Sequence, residues 1–371
     1  MKLIIILINL LNTLLPKSKS KLVVISTPDF DDNTRAVFED YNQKVICLTS
    51  SSGAVPYWVT EEHKYYRKNS LIGVFHLCTS RIVLFTHGVF NGFSLLDESR
   101  QIVINITHGM YIKKMGLQIN KNIKTHSHYI LSTSHLFKQP LSEMFGVDQE
   151  RVIVKGLLRN RYLLRDKSAF KKQLFKEQKV ICWMPTWRKS VDKKVSFLKG
   201  TYSGEDDLLG MNGVSLIELN NLLVSNNILM LIKPHPLAEY TTKVENLSNI
   251  KILLNEELNN FQLTLYELLS LSDALITDFS SVFVDYLLTK KPIGFSLFDI
   301  ENYTSSRELA IDLEEIGIPG SVINSWDTLN KFVSSVSTNE SSVTVGDCYT
   351  EVGVCPNIEN VINDIISKKL C

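Results

Sequence analysis

The sequence predicts an α/β protein made of two Rossmann-like domains facing each other across a cleft, and three observations lead there. Short β-branched apolar runs alternate with polar, helix-compatible stretches along most of the chain. Those runs are continuously apolar and lack the alternation of a half-exposed strand, as parallel strands covered by helices on both faces should be. At 371 residues the chain is also long for a single core. The pattern restarts after a joint near Leu157–Lys172, so the domains read as 1–160 and 161–371.

The elements follow in order. The opening MKLIIILINLLNTLLPKSKSK has an apolar run from Leu3 to Leu15, shorter than the roughly 20 residues of a membrane span. It reads as a short helix, broken only by Asn9 and Asn12, that either packs on its domain or lies in a membrane interface held by Lys17, Lys19 and Lys21. Pro16 and the lysines stand where a cleavable signal needs small residues. The strand-like runs KLVVIST, QKVICLTS, RIVLFTH, QIVINITH, HYILSTS and ERVIVKG make the first domain. KVICWMPT, ILMLIKPHP, IKILLN, ALITDFSS and PIGFS make the second, with SLIELNNLLVSNN, TLYELLSLS and VFVDYLLTK as helices between them.

Composition limits the function. Lys and Arg number 40 against 39 Asp and Glu, a net charge of +1, which gives nucleic-acid binding no support. The segment Lys155–Lys194 is locally basic, with 13 Lys/Arg against Asp166, Glu177 and Asp192. It reads as a solvated face or a surface toward anionic polymer or lipid. Six scattered cysteines without a Cys-x-x-Cys pair suggest a reducing compartment. His126 and His128 share a strand face, with His135 further on, but no third ligand is evident, so no metal site is expected. No cofactor is indicated. A divalent cation such as Mg would have to arrive with a bound pyrophosphate.

Polar motifs stand at strand ends, where open α/β sheets bind ligands. Thr-His-Gly occurs twice, at His87 and His108. In ALITDFSSVFVDYL, the residues Thr277, Asp278, Ser280 and Ser281 form a turn into a helix, more polar than capping alone requires and suited to phosphate. In LIKPHP, two prolines mount His235 rigidly beside Lys233. MPTWR repeats the design with Thr186 and Arg188, the latter offering a planar fork for phosphate. Trp183 and Trp187 read as packing residues.

Taken together, NITHGMYIKKMG, MPTWR, IKPHP and LSLSDALITDFSSVFVDYLLTKKPIGF resemble the CDP-glycerol glycerophosphotransferase family, which builds teichoic acids and related polyol-phosphate capsule polymers. The likeness runs from about Asp29 to about Gly320 with the motifs in the family's order. It implies a GT-B fold with the CDP-alcohol held mainly by the C-terminal domain. An acceptor hydroxyl would attack the β-phosphate of CDP-glycerol or CDP-ribitol, and CMP would leave. The acceptor would be a lipid-linked or polymeric glycan or polyol phosphate, met at the cytoplasmic face of the cell membrane. Carried over residue by residue, His108 is the general base and His235 the second catalytic histidine, on the pyrophosphate. Arg188, Lys233, Thr277, Asp278, Ser280 and Ser281 would hold the donor phosphates. Gly109, Lys113, Thr186, Asp285 and Arg307 would contact donor, ribose or acceptor.

Two blocks depart from the family. Met110-Tyr111-Ile112-Lys113 stands where Thr-Pro-Leu-Lys is usual, and Gly156–Arg161 lacks a proline and a final acid. No long N-terminal extension is evident, which implies a minimal catalytic core. Sialyltransferases of the GT-B type also use a His-Pro and a Ser-Ser, but their acidic pair followed by Gly is missing; Gly204–Asp206 has the order reversed. A non-catalytic module binding CDP-alcohols or anionic polymer would not need both His108 and His235. Of the two Thr-His-Gly histidines, only His108 is followed by lysines. His87 is therefore expected to be a structural or cleft-wall residue whose loss is largely tolerated.

Overall fold

β1 (Ser18–Ile25) and β8 (Lys179–Met184) each open a parallel sheet from its interior. The computed structural model describes residues 2–51, 55–121, 127–185, 200–201, 215–234, 238–239, 247–278, 280–297, 310–311, 317–340, 352–355 and 357–367. In the first sheet, β2 (Lys44–Thr49), β3 (Lys64–Arg67), β4 (Ser80–Phe85), β5 (Ile102–Asn105), β6 (Tyr129–Ser132) and β7 (Val152–Val154) join β1 in the order β3-β2-β1-β4-β5-β6-β7. In the second, β10 (Ile228–Ile232), β12 (Ile250–Ile252), β13 (Ala274–Thr277), β14 (Ile293–Ser296) and β15 (Ser321–Ile323) join β8 in the order β12-β10-β8-β13-β14-β15. A separate short pair joins β9 (Gly200–Thr201) to β11 (Ala238–Glu239). All described pairings are parallel.

Each sheet grows outward on one side and then crosses back to the other. The reversals fall between β1 and β4 and between β8 and β13, the switch points where such folds open a crevice at their carboxyl edge. Leu22, Val23, Val24, Ile181 and Cys182 are fully buried, as central strands covered on both faces must be. The chain thus has the two parallel-sheet Rossmann-like architecture predicted from the sequence.

The chain divides into Met1–Tyr162 with Glu351–Cys371, and Leu163–Thr350. The tail that the sequence reading left in the second domain returns to the first. Helix Ile358–Ser367 packs on helix Asp32–Asp40, and the Asp40 carboxylate explains why. It accepts two hydrogen bonds from Arg161, at 2.5 and 2.7 Å, and a third from the Ile358 N–H at 3.0 Å. Arg161 also donates to the Cys355 carbonyl at 3.2 Å. Gly156, at φ +84°, lets the returning strand approach, since a Cβ there would lie 2.3 Å from the Gly353 carbonyl carbon. The departure at Gly156–Arg161 is therefore where the tail is fastened.

The N-terminal helix Lys2–Leu14 packs on helix Leu71–Thr79 through Ile8 and fastens itself with its two asparagines. Asn9 donates to Gly92 O and accepts from Ser94 N–H, both at 3.0 Å, and buried Asn12 donates to Gln101 at 3.0 Å. Two of the three lysines expected at a membrane turn inward instead. Lys17 donates to Asn12 and to the Cys78 carbonyl, and burial pulls its pKa down to about 8. Lys21 donates to Thr79 at 2.6 Å, and burial likewise lowers its pKa. Lys19 stays exposed. The helix also keeps an apolar outer face, with Leu3, Ile4, Ile6, Leu7, Leu10 and Leu14 exposed.

The basic segment is partly consumed internally. Arg161 pairs with Asp40, Lys167 with Glu267, Lys171 with Asp273 and Lys172 with Glu177. Cys47, Cys78, Cys182 and Cys355 are free and buried, and burial pushes the thiols of Cys182 and Cys355 up to about 12 and 11. His128 is a structural residue: Nδ1 accepts the Val103 N–H and Nε2 meets the Leu96 carbonyl, each at 3.0 Å. His126 lies outside the described residues.

Removing one partner of a largely buried, doubly hydrogen-bonded ion pair leaves the other charge unsatisfied. Asp40→Ala should therefore destabilise the first unit by about 3 kcal/mol and release helix Ile358–Ser367, seen as accelerated amide exchange there.

Candidate active site

The two Thr-His-Gly tripeptides are neighbours. Phe85 of β4 pairs with Asn105 of β5, and the Ile106 N–H donates to the Phe85 carbonyl at 2.8 Å. Both chains then leave the same sheet edge side by side. The His87 and His108 rings stack with centroids 3.8 Å apart and planes 18° from parallel. The sequence reading treated these residues as rivals; the fold makes them a pair.

The backbone that delivers His108 is held in an unusual shape. Thr107 has φ +53°, a left-handed conformation costly for a β-branched residue, on the order of 1–3 kcal/mol. It persists because its N–H donates to Asn105 Oδ1 at 3.0 Å and its carbonyl accepts from Asn33 Nδ2 at 3.2 Å. Gly109 follows at φ +132°. Tyr111 then turns back toward His108, its Oη 3.1 Å from Nδ1 and its ring edge-on at 5.0 Å. Burial raises the Tyr111 pKa well above the phenol's ordinary value, with the charge of Arg159 working the other way, so Tyr111 stays a neutral hydroxyl.

That hydroxyl explains the unusual run after His108. Met110 and Ile112 are buried, and the Met110 sulfur takes hydrogen bonds from Ser132 Oγ and the Thr133 N–H. Tyr111 fills the place beside the histidine. Lys113 is half-buried five residues past His108. Around the pair, Asn105 Nδ2, Thr107 Oγ1, Thr133 Oγ1 and Ser134 Oγ are buried without a hydrogen-bond partner among the described residues. Such groups call for water or a polar ligand. Neither Tyr111 nor His87 figured as a site residue in the sequence reading. The signals were present: a tyrosine three residues past the histidine and a duplicated tripeptide.

The second unit gathers its motifs the same way. Trp183 of β8 pairs with Ile232 of β10 and Ile276 of β13, and Met184 pairs with Thr277. The segments after Met184, Ile232 and Thr277 therefore leave three adjacent strands at one edge. Lys233 is 5% exposed there, its N–H bonded to the Trp183 carbonyl at 2.8 Å. Its ammonium has only a 3.4 Å contact to the Pro234 carbonyl and no carboxylate partner among the described residues. Burial lowers its pKa, opposed by Cys182 and Glu257. A buried ammonium in that position is poised for an anion.

Asp278 is buried in the turn after β13, and Ser280 and Ser281 are half-buried. Ser281 stands at the N-cap of helix Val282–Tyr286 and makes no side-chain capping bond. The helix is only five residues long, so its dipole is small. Two expected ligands each make a hydrogen bond within the fold. Thr277 is fully buried and donates to the Met184 carbonyl at 2.9 Å, tying β13 to β8. Asp285 is fully buried and accepts from Tyr266 Oη at 2.5 Å. Trp183 lies in the second core, as expected of a packing residue. Thr186, Arg188, His235 and Arg307 lie outside the described residues.

Comparison with known proteins shows the family and the fold. The family described as CDP-glycerol:poly(glycerophosphate) glycerophosphotransferase matches residues 7–345. The teichoic acid poly(ribitol-phosphate) polymerase of Bacillus spizizenii is 27% identical over 59% of this chain and 34% of its own length. The teichoic acid glycerol-phosphate primase of Bacillus subtilis is 24% identical over 95% of this chain and 93% of its own. The chain thus spans about a third of that polymerase and nearly all of the primase. The solved wall teichoic acid polymerase TagF shares the fold, with a TM-score of 0.71 at 19% identity over 95% of this chain and 89% of that one.

Replacing a buried ammonium that has no carboxylate partner among the described residues by an apolar chain of similar size removes a desolvation cost. Lys233→Met should raise the thermal midpoint of the unliganded protein by about 2–4 °C and abolish the further rise produced by CDP, both read by differential scanning fluorimetry.

Proposed function

The chain belongs to the CDP-glycerol:poly(glycerophosphate) glycerophosphotransferase family, and from that premise we propose that it transfers a polyol phosphate from a CDP-polyol to a hydroxyl of a teichoic-acid-type acceptor. The donor is CDP-glycerol or CDP-ribitol, and the acceptor a lipid-linked or polymeric glycan or polyol phosphate. The observation that carries this reading is Lys233, a buried cation without a carboxylate partner among the described residues, at the edge where three phosphate-suited motifs emerge.

In this reaction the acceptor oxygen forms a bond to the β-phosphorus while the bond from that phosphorus to the CMP oxygen breaks. The acceptor proton passes to Nε2 of His108. A base working through Nε2 keeps its own proton on Nδ1, so Nδ1–H donates to the Tyr111 oxygen, and the neutral phenol accepts it. The first unit supplies the base and meets the acceptor. The second grips the donor through Lys233, Ser280 and Ser281, with Asp278 shaping the turn. His235 and Arg188, assigned by family resemblance, would complete the phosphate contacts. Transfer of this kind depends on charge neutralisation and positioning more than on covalent chemistry.

The working place is the cytoplasmic face of the membrane, where an activated nucleotide and a lipid-linked acceptor meet. The exposed apolar residues of helix Lys2–Leu14, with Leu71, Ile72 and Phe75 of the helix packed on it, support interfacial contact. Among the described residues no helix is long and apolar enough to cross a membrane.

Three measurements test these assignments. The protein should release CMP from CDP-glycerol or CDP-ribitol in the presence of a primed lipid acceptor, and His108→Ala should lower kcat by about 10³-fold. CMP release from CMP-sialic acid but from neither CDP-polyol would overturn the reading. Tyr111→Phe should lower kcat about tenfold with the donor KM unchanged. Leu3→Asp combined with Leu71→Asp should abolish flotation with anionic vesicles while sparing transfer to a soluble acceptor.

A further inference from the structure

We infer that His87 is a positioning residue for His108, and that the two stacked imidazoles act as one unit in which His87 fixes the ring plane of the base and disfavours its protonation. The inference rests on the transfer reading above for the reaction that the unit serves. Three features of the first unit carry it. His87 leaves β4 at the β1/β4 reversal, the switch point of the first sheet, whereas His108 leaves the next strand outward. The ring planes are nearly parallel at 3.8 Å, with Tyr111 edge-on at 5.0 Å and its hydroxyl on Nδ1, so His108 is held by one ring's face and another's edge. His87 is itself anchored, since Thr86 Oγ1 lies 3.0 Å from its Nδ1 and accepts the Thr27 N–H at 3.0 Å. A cleft-wall histidine would need none of this.

The charges around the pair are identifiable. Asn33 links Asp31 and the Arg159 N–H to the Thr107 carbonyl beside the pair. Lys113 follows on the β5 loop, and Lys68 lies over the Phe90 ring, three residues past His87. Tyr111 remains neutral. At 3.8 Å, a proton on either imidazole opposes a proton on the other. Once His87 is protonated, its charge at that distance moves protonation of His108 to lower pH.

The test uses the full chain and two substitutions. His87→Ala removes both support and charge; it should lower kcat about tenfold with the donor KM within about twofold. His87→Phe keeps a stacked ring without a titrating nitrogen. It should restore most of kcat and move the acidic limb of the pH–rate profile up by about one pH unit. The His108 ring-proton resonances of the free protein, followed by NMR, should titrate about one pH unit higher in His87→Phe than in wild type. An unchanged kcat in His87→Ala together with an unchanged His108 titration in His87→Phe would overturn the inference. Because the titration needs no substrate, it decides the pairing even with no transfer from either donor. A shifted titration without CMP release would fault the transfer reading and leave the stacked pair standing.

Discussion

Parallel pairing is the constraint from which the rest follows. When every strand of a sheet runs the same way, every strand-to-helix loop leaves from the same edge, whatever lies between strands in the sequence. In the first unit this brings residues 87 and 108 into ring contact. In the second it sets residues after 184, 232 and 277 beside one another, although nearly a hundred positions separate the first from the last. Neither cluster needs local sequence proximity, and a one-residue slip in β4/β5 register would separate the imidazoles. The buried branched side chains that fix register therefore also fix the chemistry.

Much of this was legible beforehand because it depends on local pattern. Continuous apolar runs identify parallel strands, and polar residues just past them mark the functional edge; β1, β4, β5, β8, β10 and β13 all behave so. What escaped depended on register and burial. Thr277 looked like a phosphate donor because its type and position suit one, yet its hydroxyl is spent on the Met184 carbonyl of the adjacent strand. Asp285 sits one helical turn past the serines, but its face of the helix meets Tyr266. The return of helix Ile358–Ser367 was invisible because the groups that fasten it, Asp40 and Arg161, lie 121 positions apart and belong to no motif.

The two edges solve opposite electrostatic problems. At the first stand a stacked imidazole pair, a neutral phenol, and amide and hydroxyl groups buried without a hydrogen-bond partner among the described residues. That environment suits accepting one proton from a hydroxyl. At the second, an ammonium is buried without a counter-charge among the described residues, a state that proteins tolerate poorly unless a ligand supplies the missing anion. An anion bound there would offset that cost and stabilise the folded protein.

The return of the tail also orders events during synthesis. Everything in 163–350 is interposed between the body of the first unit and the helix that completes it. As the chain emerges, the second unit can close on itself first, while Asp40 and Arg161 wait for the Ile358 amide. The first unit is thus sealed only after the whole of the second has been made.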